Sequence, residues 1–335
     1  MTIPDNFSAV WQSPGVAAVE DRPLRSPGMG EVRLEVLACG LCGTDTHIVQ
    51  GEFVGADPGV VLGHEGCARV VEVGADVRSL KVGDRVAVDP NLPCDTCVYC
   101  LDGRTHLCLN LVGLGSHVDG LLTHSATVPE RLCVPVPDGL PDEVAALAEP
   151  LACVLHAFDR SGLRAGENVV VIGAGAIGLM AARLAQLHGA ASVTVREANP
   201  ARIDRARTLN FDAGPPSDAD AETADVVFEC AGAAAAVAHA VTAARRGGRV
   251  VWVGVTAPDA QVAIRPFDVF RRELTLIGTF TNPHTTRRAV QVLAADPERW
   301  RPFVTHSFPL ARFAEAWAIH LAGTGLRVCV LPNER

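Results

Sequence analysis

Along residues 31–37 apolar and charged side chains alternate, with Val32, Leu34 and Val36 separated by Arg33 and Glu35, which is the period of a strand with one buried face. Short apolar runs at 67–73 and 84–88, broken by Gly, Asp and Pro, extend this into a small β-rich domain. After the break Pro137, Gly139, Pro141 and Pro150, which frames a helix-like run over 142–147, the pattern changes. Asn168-Val169-Val170-Val171-Ile172 is a continuous, mostly β-branched run, as expected of a parallel strand covered on both faces. A helix over 176–187 and a strand over 192–196 follow, and the runs 225–229, 249–254 and 274–278 fit the same sheet. Strand, helix and strand in alternation predict a doubly wound α/β sheet. Two helices, near 285–294 and 310–321, and a strand over 326–331 close the chain.

Composition narrows the picture. At 335 residues the chain exceeds one ordinary core and reads as two domains. Apolar residues at 48% and charged residues at 20% describe a well-packed globule rather than a disordered chain. A net charge of -9 argues against nucleic acid or an anionic membrane as partner. The start, residues 1–7, shows no basic leader and no long apolar run, so a cytoplasmic location is expected. Eleven cysteines, an odd number without an export signal, favour reduced thiols and metal binding over disulfides.

Two motifs carry chemistry by their spacing. Gly173-Ala174-Gly175-Ala176-Ile177-Gly178 follows a predicted strand and opens a predicted helix. The first glycine makes the tight turn, the second admits a pyrophosphate to the backbone, and the third allows close packing, while the helix N-terminus faces the anion. Glu197, nineteen positions past Gly178, stands where a carboxylate accepts from ribose hydroxyls and repels a 2'-phosphate, which favours NAD over NADP. Arg196 and Arg202 pull the other way, since an arginine there can hold that phosphate. Cys94, Cys97, Cys100 and Cys108, at spacings of 2, 2 and 7, match a closed tetrahedral thiolate site of structural type, with zinc a better match than an iron–sulfur cluster.

These motifs, with Cys39-Gly40-Leu41-Cys42-Gly43-Thr44-Asp45, Gly63-His64-Glu65 and Glu149-Pro150-Leu151 in the same order, resemble the zinc-containing medium-chain dehydrogenases, in the polyol (sorbitol-like) and threonine dehydrogenase branch. The resemblance covers essentially the whole chain. It implies a GroES-like β-rich catalytic domain over 1–150 and 281–335, a Rossmann coenzyme domain over 151–280, two zinc ions and a homo-dimer or homo-tetramer. Arg327 falls where the family carries a cation for the cofactor phosphate. The chain departs from the family at Gly120-Leu121-Leu122-Thr123-His124-Ser125, where relatives commonly show Gly-Gly-Phe-Ala-Glu-Tyr beside the substrate pocket.

Oxidising an alcohol by hydride transfer needs an alkoxide-like oxygen, which a zinc with one open position supplies. Cys39 as thiolate, His64 as neutral imidazole and one carboxylate make a neutral site, whereas two carboxylates would leave a net charge of -1 and weaken the Lewis acid. Glu65 and Glu149 therefore compete for one position, the resemblance favouring Glu65. Adjacent strand residues point to opposite faces, so His64 and Glu65 both reach a metal only from irregular backbone. Glu149, before Pro150, is expected in extended geometry. Thr44, expected as a helix cap, is the first proton acceptor of a relay that His47, three positions on, carries towards solvent. Cys42, Cys67, Cys133, Cys153, Cys230 and Cys329 read as small core residues, His156 and His188 as structural, and pocket residues as coming from Phe53, 114–119 and Phe280. The expected activity is NAD-linked interconversion of a secondary alcohol (polyol, cyclitol or amino-alcohol) and its ketone; a zinc-independent quinone or enone reductase of the same fold, or a non-catalytic NAD-binding protein, are the alternatives.

Overall fold

The computed structural model describes residues 6–334, so the reading of residues 1–5 as free of a leader lies outside them. The chain divides into two compact units, one formed by residues up to Ala152 together with Pro283 onward, the other by Cys153–Asn282. The sequence boundaries at 150 and 280 fall two residues earlier in each case.

In the first unit the alternation over 31–37 becomes the strand Glu31–Gly40, whose Val32, Leu34, Val36 and Ala38 are fully buried. It pairs antiparallel with Glu65–Val73, with Ser125–Pro129 and with the last strand of the chain, Arg327–Leu331. Arg85–Val88 and Cys133–Pro135 extend the sheet on one side and Val304–Pro309 on the other. A hairpin of Phe7–Ser13 and Val16–Asp21, which the sequence pattern did not single out, packs Ala9 and Trp11 into the same core as Ile48 and Leu62. The helix Gly43–Gln50 ends at Gly51, whose φ of 77° is the left-handed stop glycine supplies at no steric cost.

In the second unit all the sheet pairings are parallel. The strand order is Asp212–Gly214, Ser192–Arg196, Asn168–Ile172, Ala224–Glu229, Ala244–Trp252, Thr275–Gly278. Order reverses between Asn168–Ile172 and Ala224–Glu229, and such switch points are where doubly wound sheets bind ligands. The edge strand Asp212–Gly214 is three residues long, too short to leave a period in the sequence. The helix Ala176–Leu187 buries Leu179, Met180, Ala182 and Leu184.

One backbone expectation fails. Glu149 is not extended but sits in the first turn of the helix Ala148–Ser161, with Pro150 next to it. A proline in the first turn lacks only an N–H that has no intrahelical partner there, so the helix starts through it. Among the described residues no helix is long and apolar enough to cross a membrane.

Candidate active site

The first unit gathers three metal-type donors. The ligand atoms of Cys42, His64 and Glu65 lie within 4.8 Å of one another, a span a shared zinc bridges with bonds of roughly 2.0–2.3 Å. His64 is outside the strand that begins at Glu65, and Gly63 before it has a φ of 90°, so the two side chains converge from irregular backbone. Gly40 leaves room for the carboxylate, since a Cβ there would stand 2.4 Å from Glu65 Oε2. Glu65 is 1% exposed and its Oε1 has no hydrogen-bond partner, an orphan that a cation satisfies. The donor set fits zinc.

Cys39, the expected thiolate, is not in this group, and Cys42, read as a core residue, is. Cys39 lies within the strand, opposite Gly66 and Val330, with its Sγ 2.8 Å from where a Cβ on Gly63 would be. Burial, then the charges of Asp45 and Glu65, push its thiol well up, which keeps it protonated. Cys42 follows the strand's end and caps the helix Gly43–Gln50, where the helix N-terminus favours a negative charge.

Asp45, which the sequence reading passed over, ties the cluster together. Fully buried, it accepts from the Cys42 N–H (2.8 Å) and the Gly63 N–H (3.1 Å), and its Oδ1 lies 3.6 Å from His64 Nδ1. Burial opposes charge on both partners, yet their attraction raises the His64 pKa and lowers that of Asp45. An acidic residue three positions after the cap is the spacing of a capping box, and that signal was available in the sequence.

Glu149, 9% exposed, is not one of the three clustered donors. Burial pushes its carboxyl up to about 7; Glu65 and Asp89 add to the shift while His64 and Arg327 oppose it. Arg327, expected on a cofactor phosphate, is instead 5% exposed beneath the cluster. Its Nη1 stands 2.9 Å from Glu65 Oε2 and donates to the Leu41 carbonyl at 2.8 Å. The final strand pairs with the strand leading to Cys42, and this turns the guanidinium inward.

Thr44 is the second residue of its helix rather than the cap, and its Oγ1 lies 3.7 Å from Cys42 Sγ. His47 is exposed, with Nδ1 2.7 Å from Glu52 Oε2. Of the expected pocket residues in this unit, Phe53 packs edge-on to His117 and Gly115 abuts the Gly63 carbonyl, where a Cβ would come to 2.5 Å. The departing run is core: Leu121 and Leu122 are fully buried over Gly66 and Gly63.

The sulfurs of Cys94, Cys97, Cys100 and Cys108 also lie within 4.8 Å of one another. Amide N–H groups of Cys94 and Asn110 point at Cys108 Sγ (3.2 and 3.3 Å), and that of Cys97 at Cys94 Sγ (3.4 Å). The Thr96 hydroxyl, then nearby amides, bring the Cys94 thiol down to about 5, while burial and Cys97 push Cys100 up to about 12. Such a set ionises fully only around a cation, as a closed zinc site requires.

The second unit holds the glycine turn. Gly173 has a φ of 102°. A Cβ on Gly178 would stand 1.9 Å from the Gly173 carbonyl, which only glycine permits, whereas a Cβ on Gly175 would meet nothing within 4 Å. That open face, at the start of the helix carrying Ala176 and Ile177, suits a pyrophosphate. Glu197 Oε2 accepts from the Ala174 N–H (2.8 Å) and Oε1 from the Asn199 N–H (2.9 Å), so the carboxylate braces the turn and keeps lone pairs for ribose hydroxyls. Arg196 is committed to Asp220 at 2.6 Å, while Arg202 lies half-buried on the helix Pro200–Thr208. Glu229, unremarked in the sequence, is fully buried and its Oε1 accepts from Ala231 and Gly232 N–H groups (both 2.8 Å), which shapes the loop against Gly173.

Residues 28–138 match the alcohol dehydrogenase GroES-like domain, and residues 176–295 match the zinc-binding dehydrogenase domain. Sorbitol dehydrogenase of Bos taurus is 33% identical over 352 residues, covering 99% of this chain and 98% of that protein. D-altritol 5-dehydrogenase of Agrobacterium fabrum is 36% identical over 307 residues, covering 89% and 90%. The crystal structure of a zinc-binding dehydrogenase target from Sinorhizobium meliloti, bound to NADP, superposes with a TM-score of 0.91 at 34% identity, covering 98% of this chain and 100% of that one.

Proposed function

We propose, from the premise that this chain belongs to the zinc-dependent medium-chain dehydrogenases in their polyol branch, that it interconverts a polyol or related secondary alcohol and its ketone with NAD. The observation that carries the reading is the group of half-buried Cys42 with buried His64 and Glu65, which has an orphaned carboxylate oxygen, a three-donor site that leaves one position for substrate. Zinc held there supplies a Lewis acid that lowers the pKa of an alcohol oxygen. The protein's own residues do the rest. Asp45 orients the His64 ring and the Cys42 backbone. Arg327 holds Glu65 in place. The Thr44 hydroxyl, beside Cys42, takes the proton the alcohol loses as it gives up its own, which His47 with Glu52 passes to solvent. Glu149, whose pKa near 7 lets it change charge at little cost, is the alternative carboxylate for the position Glu65 holds.

In the second unit Gly173, Gly175 and Gly178 with the helix start at Ala176 and Ile177 hold the pyrophosphate, and Glu197 takes the ribose. The carboxylate favours NAD although a relative binds NADP, because a 2'-phosphate would meet Glu197 and displace one of the N–H groups it braces. The second zinc, on the four-cysteine loop, is structural. The two thiolate sites need reduced cysteines, which supports a cytoplasmic setting. A homo-dimer or homo-tetramer is supported by the edge strand Thr275–Gly278, with Phe270 and Phe280 exposed near it in sequence.

The test is an NAD-reduction screen over polyols, cyclitols and amino-alcohols, with metal content measured on the same sample. Activity on a polyol with about two zinc per chain and a kcat/KM ratio favouring NAD is expected. Turnover only of a quinone or enone, or a chain without zinc, would overturn the reading.

A further inference from the structure

We infer that His320 is a positioning residue for the metal centre: its imidazole, hydrogen-bonded to Thr46, ties the short helix that Cys42 caps to the C-terminal helix and so fixes where the Cys42 sulfur points. The inference rests on the reading of Cys42 as a zinc ligand.

The helix that carries Cys42 at its cap, Gly43–Gln50, is eight residues long, and a helix of that length has little stability of its own. Gly40 and Gly43 flank the cysteine, Gly43 is exposed, and glycine adds backbone freedom where a ligand has to be held to a few tenths of an ångström. Asp45 restrains one side by accepting from the Cys42 N–H. The Cys42 carbonyl accepts from the Asp45 N–H at 3.0 Å and, as the cap, takes the first intrahelical bond as well, so the cysteine's backbone is tied to this short helix.

His320 restrains the other side from the last turn of the helix Phe313–Ala322. Its Nε2 stands 3.0 Å from Thr46 Oγ1, so ring and hydroxyl share a hydrogen bond, with Nε2 accepting when the ring proton is on Nδ1. Trp317, one turn earlier, lies against the imidazole with ring centroids 5.5 Å apart, and stacks in turn on buried Phe313 at 5.8 Å. The ring is thereby held between Thr46 and Trp317. Two successive helix residues therefore anchor the cap in opposite senses, Asp45 towards His64 and Thr46 towards the C-terminal helix. Outer partners of metal ligands of this kind change metal affinity by about 10- to 100-fold when removed.

The test uses the zinc-loaded full chain and follows zinc release to a chromophoric chelator, alongside the absorption spectrum of the cobalt-substituted protein and thermal unfolding. Two release phases are expected in the parent, of which Cys42→Ser abolishes one; if it alters neither phase, the reading of Cys42 as ligand fails, independently of His320. The apolar pair His320→Phe with Thr46→Val fills a similar volume without the hydrogen bond. It should release the Cys42 zinc about 10- to 100-fold faster and shift the cobalt bands, with the four-cysteine phase and the melting temperature little changed. His320→Gln, whose amide reaches towards the Nε2 position, should recover much of the slow release. Unchanged release in the double variant, acceleration of both phases together with a lowered melting temperature, or His320→Gln behaving like the phenylalanine would each overturn the proposal.

Discussion

Arg327→Met isolates the contest for Glu65. The substitution keeps an apolar stem of similar reach but removes the cation 2.9 Å from Glu65 Oε2 and the donor to the Leu41 carbonyl. Glu65 is 1% exposed, so in zinc-free protein it is left as a buried, uncompensated carboxylate. Breaking one side of such a pair costs about 3–5 kcal/mol. For a unit of this size each kcal/mol moves the melting temperature by about 2–4 °C, so a drop of roughly 6–20 °C is expected without metal. With zinc bound, the carboxylate has a second cation to face, and part of the loss returns. If about 2 kcal/mol returns, linkage requires the variant to bind zinc roughly 30-fold more tightly than the parent. Thermal unfolding of chelated and zinc-restored samples, with zinc affinity from chelator competition, measures both quantities. The four-cysteine site is common to parent and variant and cancels from the comparison. An equal fall in melting temperature with and without zinc, at unchanged affinity, would refute the reasoning.

Cys42→Ser should leave about one zinc per chain and no measurable turnover, whereas Cys39→Ser should keep both metals and lose only about 1–3 kcal/mol of stability, for a hydroxyl placed in the core; metal analysis that gave the reverse pattern would restore Cys39 as the ligand. Thr44→Val should lower kcat by about 10²- to 10⁴-fold with zinc content intact, and steady-state rates at parental level would remove the hydroxyl from the proton path. In the second unit, burial would raise the Asp220 carboxyl, but Arg196, the Ser217 N–H and His239 hold it below the ordinary range. A carboxyl with a depressed folded pKa stabilises fully above its unfolded value, about 3.9, and loses that contribution as pH falls through the folded one. Asp220→Asn should therefore cost about 1–3 kcal/mol near neutral pH and less near pH 3, read from urea midpoints; a cost independent of pH counts against it.

Much of the molecule is legible locally. Alternation over 31–37, the β-branched run before Gly173 and the glycine spacing fix strands, turn and helix, because each obeys a period set by backbone geometry. The spacing of Cys94, Cys97, Cys100 and Cys108 likewise determines a sulfur cluster, since a short loop brings its own residues together. What the sequence could not decide was which of Cys39 and Cys42 joins His64 and Glu65. Both stand near a strand's end, and the choice depends on where the strand stops and the helix begins, which the pairings with Glu65–Val73 and Arg327–Leu331 set. The same holds for Glu149, whose helix starts through a proline, and for Arg327, which the pairing of the last strand turns beneath Glu65. Thr46 and His320, 274 positions apart, meet only because the C-terminal helix returns to the first unit. The sequence by itself determined the donor types and the two domains' periodicities; tertiary structure decided which side chains converge, because a side chain's direction at the end of an element is set by distant strands and helices and leaves no period in its neighbours.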